Sequence, residues 1–339
     1  MARRLFIYTL ATRNLLPFFK NHLFLSFAGG RFVHSTVGDP TLYGAGASEF
    51  GLGAEITGFR LFKGGLIITT EKSIHTLFGS SKQDWQLDTF TDQIGAQADT
   101  VHDVVGDLFF FHKSQGFNFK AAQEYGKFAT DSITKKINNS LATVGVKFCL
   151  VSPTRSAYLI QANDKRMFSM IKTPDSFDFG IRSYPFNANC GMVSPDGAVF
   201  VGTSSGFIYQ LDRGYSADGA AIDNLVRTGF ITPKSGKIFR LHKIAAIFSG
   251  QASAYQLRVD CDFDESSGTP MSVPAPSGGA LWDSAQWNGS IFDSYPAARV
   301  ETYPSATAES FAIMLSHNDL LPMRVLSFEF TLSLRGAKK

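Results

Sequence analysis

The sequence predicts an all-β protein. A β-propeller-like body of about four to five blades spans residues 22–232, an antiparallel β-sandwich follows over residues 233–339, and a short N-terminal segment, 1–21, precedes both. Three observations predict this. Hairpins of one kind recur along the first part of the chain, strictly alternating strands mark its last part, and helical periodicity is nearly absent. The composition agrees: 44% apolar and 18% charged residues, with 31 glycines and 32 phenylalanines in 339 positions, suit a chain of strands and turns.

The N-terminal segment, MARRLFIYTLATRNLLPFFKNHLFL, mimics a targeting peptide, with early arginines and no acidic residue before Asp39. Its apolar run Leu5 to Ala11 is short, Arg13 breaks the apolar character soon after it, and no small-residue cleavage site is clear, so no export signal is expected. No run of about 18 apolar residues occurs anywhere, so no membrane-spanning helix is expected.

The hairpins come next. KGGLIITTEKSIHTLFGSS starts at Lys63, GDLFFFHKSQGFNFK at Gly106 and DGAVFVGTSSGFIYQLD at Asp196. The last two align without a gap from Leu108 on Ala198 to Phe119 on Tyr209. Weaker copies are HLFLSFAGGRFVHST, turning at Gly29 and Gly30, and AYLIQANDKRMFSMIK, turning at Asn163 and Asp164. In each, Gly or Asn/Asp supplies the positive φ of a tight turn and the flanks are β-formers. Their mean spacing is close to the roughly 40–45 residues of a four-stranded propeller blade. An ordinary antiparallel sandwich spaces its turns similarly, but the gapless pair favours a repeat. A propeller also explains why so plain a unit recurs: each sheet is stable only when a neighbour covers its face.

At Thr232 to Gly236 the character changes, with Pro233, Lys234 and Ser235 forming a linker. In AYQLRVDCDFD, Tyr255, Leu257, Val259, Cys261 and Phe263 share one strand face, and Gln256, Arg258, Asp260, Asp262 and Asp264 the other. In RVLSFEFTLSLRG, Leu326, Phe328, Phe330, Leu332 and Leu334 point inward. With KIFRLHKIAAIF and ESFAIMLS these make an antiparallel sandwich.

Charge and cysteine content narrow the function. Basic residues exceed acidic ones by only +3 and are scattered, which is not the footprint of a dedicated nucleic-acid binder. Cys149, Cys190 and Cys261 lie far apart with no CxxC pair, against a zinc site or disulfide framework and in favour of a reducing site of synthesis.

The chemical motifs dissolve on inspection. GTSSG, Gly202 to Gly206, matches the pattern of a hydrolase nucleophile elbow at Ser204, but that elbow leads into a helix and FIYQLD is a strand. The Asp178-Phe179-Gly180 triplet has no companion kinase motif. The run Asp260, Asp262, Asp264, Glu265 lacks the glycine and the final glutamate of an EF-hand. The seven histidines form no close-spaced ligand pair; His75 and His112 fall in corresponding hairpins, on strand faces. Sequons at Asn138 and Asn288 bear on function only in a secreted eukaryotic chain. No catalytic, cofactor-binding or metal-binding residue is therefore assigned. The most distinctive segment is LWDSAQWNGSIFDSY, where Trp282, Trp287 and Phe292 recur every five residues. These aromatics form either a platform for sugar rings or a partner protein, or the filling of a junction between domains.

Taken as a set, HLFLSFAGGRFVHSTVGDP, ITGFRLFKGGLIITTEKSIHTLFGS, DQIGAQADTVHDVVGDLFFFHKSQGF and LWDSAQWNGSIF resemble tail nozzle and tubular tail proteins of bacteriophages, the DNA-stabilisation type included. The resemblance covers residues about 22–125 and 235–339 and rests on structural motifs. It implies a virion component, made in the host cytoplasm, that assembles as a homo-oligomeric ring, usually six-fold, around the channel through which DNA leaves the capsid. Neighbouring tail or head-to-tail adaptor proteins are its implied partners, and genomic DNA passes without specific contact. Family members carry more chain ahead of the HLFLSFAGG segment, which leaves four or five blades, or an open arc. In such a ring Trp282, Trp287 and Phe292 are expected at a domain or subunit junction, and Asp260, Asp262 and Asp264 are expected to face the lumen and repel phosphates. The alternative reading is a carbohydrate-binding propeller; a propeller hydrolase finds no motif in the chain.

Overall fold

The computed structural model describes residues 17–43, 49–119, 132–174, 176–214, 216, 219–249, 254–265, 267–273, 297–319 and 324–337. They divide into two compact units, Met1–Asp212 and Arg213–Lys339.

The first unit is a succession of five antiparallel sheets, each a meander in chain order. Blade one holds β1 (Phe18–Phe19), β2 (His22–Phe27), β3 (Arg31–His34) and β4 (Glu49–Gly51). Blade two holds β5 (Ile56–Phe62), β6 (Gly65–Thr70), β7 (Ile74–Phe78) and β8 (Gln86–Thr91). Blade three has β9 (His102–Val104), β10 (Asp107–His112) and β11 (Gln115–Asn118). A helix, α1 (Asn138–Val144), then leads to blade four: β12 (Val146–Ser152), β13 (Ala157–Ala162), β14 (Arg166–Lys172) and β15 (Phe177–Ser183). Blade five has β16 (Ala188–Val193), β17 (Val199–Thr203) and β18 (Ile208–Gln210). The five hairpins read from the sequence are the second and third strands of these five blades, one hairpin per blade.

Local conformation follows from the turn residues. The two-residue turns at Lys63–Gly64, Val105–Gly106 and Lys113–Ser114 all have positive φ at both positions, the twist that suits a hairpin. Two depart from the expected chemistry: Lys113 and Ser114 turn without glycine, and Val105 is a β-branched residue at φ 51°.

The phenylalanine content is explained by burial on both faces. In β10, Phe109 and Phe111 pack toward blade four with Tyr158, Ile160 and Phe168. Leu108 and Phe110 pack toward blade two with Phe62, Ile67 and Ile74. Strand β6 does the same, with Leu66 and Ile68 meeting Phe24 and Phe32 of blade one while Ile67 faces blade three. Phe109, Phe110 and Phe111 are all buried, and each such ring contributes about 2–3 kcal/mol. A fourth seam joins Phe148, Leu150 and Leu159 of blade four to Val199, Val201 and Leu211 of blade five. Leu150 and Phe148 pack closely on Gly191 in that seam, where a Cβ would stand 2.4 Å from Leu150 Cδ1 and 3.2 Å from Phe148 Cε2.

The second unit contains β19 (Ile222–Arg227), β20 (Lys237–Ser249), β21 (Tyr255–Cys261), β22 (Met271–Val273), β23 (Ala297–Thr302), β24 (Ala306–Ala308), β25 (Phe311–Asp319) and β26 (Val325–Ala337). One sheet has the order β19-β25-β21-β22; in the other, β20 pairs with β23 and β24 and with β26. The two share one core, in which Leu241, Ile244 and Phe248 meet Leu257, Val259, Ile313 and Leu315, with Phe328, Phe330 and Leu332 against it. This is an antiparallel sandwich.

Four boundaries and faces differ from the sequence expectation. In β26, Leu326 and Leu334 are 51% and 60% exposed instead of inward; the register shifts at Ile247/Phe248, so that Val325 and not Leu326 packs on the core. Residues 213–232 belong to the second unit because β19 pairs with β25, so the division falls before Thr232. Phe18 and Phe19 pair with β2, so blade one begins inside the segment 1–21. Phe263 is 70% exposed instead of inward, because β21 ends at Cys261 and Asp262 and Phe263 turn the chain at φ 49° and 66°.

Candidate functional site

The first strands of all five blades line one cavity of about 1080 Å³. Phe18, Arg60, His102, Cys149 and Cys190 stand one per blade around it, which is the radial arrangement of a propeller, with first strands innermost.

The polar groups of this wall are tied to the backbone at Asp99, Thr100 and Val101, between blades two and three. Arg60 Nε donates to Val101 O at 2.6 Å, Tyr158 Oη donates to Thr100 O, and Cys149 N donates to Asp99 O at 2.8 Å. Three successive carbonyls thus accept from blades two and four. Thr100 Oγ1 adds a bond to Gln97 O at 2.7 Å and accepts from Phe111 N at 3.2 Å.

Protonation states are set by these contacts. Arginine only donates, so the 3.0 Å contact of Arg60 Nη2 with His102 Nδ1 makes Nδ1 an acceptor and puts the imidazole proton on Nε2. Burial, and then the Arg60 charge, push His102 down to about 3. Burial also lowers Arg60 and raises the Cys149 thiol and the Tyr158 phenol, whose side chains hydrogen-bond each other. At neutral pH the thiol and phenol keep their protons and the imidazole is neutral. The arrangement binds blade to blade and supplies neither thiolate nor general acid.

A second buried polar group joins blades one and two. Trp85 Nε1 donates to His34 Nε2 at 3.1 Å, while His34 Nδ1 and His22 Nδ1 both reach Ser35 O, at 2.8 and 2.6 Å. Burial lowers the His34 pKa.

In the second unit Asp260 is fully buried, which corrects its placement on an open face with Asp262 and Asp264. Its oxygens lie 2.8 Å from Arg258 Nε and 3.4 Å from Arg227 Nη2, and Arg227 also pairs with Glu265 at 2.9 Å. Arg227 comes from β19, whose position the period-2 pattern of β21 does not reveal. Asp262 and Asp264 follow the strand in an exposed turn, where Asp262 Oδ1 accepts from Glu309 N and Ser310 N at 2.9 and 3.1 Å. Ser204 sits in the β17–β18 hairpin, and Asp178-Phe179-Gly180 lies on β15. Trp282, Trp287 and Phe292 lie outside the described residues. Among the described residues no group of three or more His, Cys, Asp or Glu side chains is placed to hold a metal ion, and no helix is long and apolar enough to cross a membrane.

The sequence carried little warning of the carbonyl hub. Its one signal is the cluster Gln97, Asp99, Thr100 and His102 between two apolar hairpins.

No protein-family model and no curated protein sequence matches the chain. Solved structures similar to it include the β-propeller domain of Cps50 (Swd1) from Myceliophteria thermophila, at 12% identity over 57% of this chain and 68% of that one, with a TM-score of 0.39. Hsv2 from Kluyvelomyces marxianus is similar at 10% identity over 56% of each chain, TM-score 0.38, and YCF48 bound to D1 peptide at 12% identity over 65% and 71%, TM-score 0.38.

Proposed function

We propose that this chain is a structural component of a bacteriophage tail, a nozzle or tail-tube adaptor, that forms a homo-oligomeric ring around the DNA channel and takes part in genome retention and ejection. The observation that carries the reading is the use of the polar groups at and behind the cavity wall. Arg60, His102 and Cys149 on the wall, and the buried Tyr158 behind it, are engaged in holding neighbouring blades. Polar groups spent on fastening blade to blade suit a tube wall, and the sequence resemblance supplies the virion setting. The ring is six-fold on that resemblance, its partners are the tail or head-to-tail adaptor proteins above and below, and its location is the virion.

Electron microscopy of the purified chain and of virions tests this. Rings of the chain encircling the tail axis are expected; a chain absent from particles defeats the reading. On the same reading Trp287→Ala impairs ring assembly, and normal virions from that variant count against a junction role. Asp262 and Asp264 are then the lumen-facing pair, and neutralising both slows DNA release; unchanged ejection kinetics end that assignment.

A second reading, a carbohydrate-binding propeller, is favoured by a cavity of about 430 Å³ where Phe62, Phe78, Phe90 and Phe119 stand beside Asp88 and Thr89. Aromatic faces beside a carboxylate and a hydroxyl suit a sugar ring. A glycan-array signal abolished by Phe90→Ala is its test.

A further inference from the structure

We infer that the faces of blades five and one that no neighbouring blade covers are the two halves of a head-to-tail contact between copies of this chain. The inference rests on the proposed ring and names the surfaces that make it.

Four apolar cores serve the five blades, one at each seam from blade one to blade five. Among the described residues no such core joins blade five to blade one. Among the described residues, each terminal blade therefore has one face with no partner blade; Phe18, Cys190 and Met192, at the inner edges of these faces, also line the cavity.

On blade five, the rows Cys190–Gly202–Ile208 and Met192–Phe200–Gln210 lie opposite one another in register, on the side away from Val199 and Val201. Ile208 is 74% and Met192 58% exposed, in a sheet whose other face is buried. On blade one, Phe18 pairs with Leu23 and Leu25 with Val33, on the side away from Phe24 and Phe32. Phe18 and Phe27 are exposed. The charges on these two faces are Arg31 and Glu49, already paired at 3.1 Å at the rim.

The occupant follows from the direction of packing. Within the chain, blades two, three and four each turn one face to the blade before and the other to the blade after. Blade five lacks a following blade and blade one a preceding one, and both faces are apolar with their charges neutralised. A second copy supplies to each the kind of face that the internal seams already use, so the contact continues an interface the chain makes four times. Such a contact is heterologous: a blade-five patch meets a different patch, on blade one of the next copy, and repetition gives a ring when the rotation closes. Two blade-five faces meeting each other would reverse the order found at every internal seam.

Complementation by mixing tests this. One variant carries Met192→Glu and Ile208→Glu, blocking blade five; the other carries Phe18→Glu and Phe27→Glu, blocking blade one. All four side chains are exposed in the single chain, and circular dichroism verifies that each variant folds. In sedimentation velocity across the micromolar range, the wild type is expected to form species heavier than a monomer. Each variant alone should associate on the order of 100-fold more weakly, since a carboxylate would be buried unpaired. An equimolar mixture should form a heterodimer and stop there, because one intact face of each kind remains.

A mixture that stays monomeric overturns the head-to-tail assignment; so does one variant that associates alone like the wild type, which means that its intact face meets its own copy. Variants that associate like the wild type put the interface elsewhere and overturn it while the ring reading stands. A wild type that stays monomeric throughout overturns both.

Discussion

Arg60 and His102 meet at 3.0 Å across the seam between blades two and three, with the guanidinium donating to Nδ1 of a neutral imidazole. The contact holds one cationic and one titratable group in fixed protonation states inside the cavity wall. Both side chains act as fasteners between sheets, and the consequences for stability can be measured.

Removing the arginine leaves the Val101 carbonyl and the imidazole nitrogen without their donor. Arg60→Ala is expected to destabilise the first unit by about 2–3 kcal/mol, with Arg60→Lys intermediate because one ammonium cannot reproduce the fork. Urea unfolding of the two variants against wild type decides it; a change below about 0.5 kcal/mol for Arg60→Ala would show that the contact is incidental.

Acid should weaken the first unit. Burial is the leading cause that lowers His34, His75, His102 and His112 from their ordinary value of 6.5. Below about pH 6.5 the unfolded chain therefore binds more protons than the folded one, and stability falls as pH drops. It is full above the unfolded pKa and is lost progressively toward about pH 3, the folded value for His102. One histidine held neutral costs about 1.4 kcal/mol per pH unit in that window. The urea midpoint at pH 5 should lie below that at pH 7.5, with a shallower dependence in His102→Gln. Equal midpoints would contradict the burial of these groups.

Val105 sits 63% exposed at φ 51°, a conformation that a β-branched residue adopts only under strain. Val105→Asn relieves it without removing a buried contact and should stabilise by about 1 kcal/mol. Calorimetry showing no rise in Tm would mean that the turn is held at no cost to the chain.

Asp260 is the buried carboxylate between Arg258 and Arg227, with Glu265 as a second partner of Arg227. Asp260→Ala should cost about 3–5 kcal/mol, because Arg258 loses its buried counter-charge and Arg227 keeps only Glu265. Asp262→Ala, which removes two bonds from an exposed turn, should cost about 1–2 kcal/mol. Comparable losses in the two variants would falsify the assignment of Asp260 as the buried member.

The hairpins were legible because their information is local. HLFLSFAGGRFVHST, KGGLIITTEKSIHTLFGSS and GDLFFFHKSQGFNFK each contain both strands and the turn, so alternation and turn chemistry identify them within about twenty residues. The seams were partly legible, since runs such as Leu108 to Phe111 have no polar alternate face and must be covered twice. The carbonyls at Asp99, Thr100 and Val101 were not, because a backbone acceptor carries no mark in the residue type that holds it. Asp260 was misread for a related reason. Its strand alternates correctly, but its partner Arg227 lies on another strand, and alternation alone takes any charged position for a wet one.

The tight turns and the stretch at Asp99 to Val101 have opposite tolerance for engineering. An epitope or fluorophore inserted between Lys113 and Ser114 extends a solvent-facing loop and disturbs a single rung. One extra residue between Asp99 and Val101 would shift the anchor points of two neighbouring blades at once. Labels for locating this chain in a particle belong at the first place, and insertions that disable it at the second.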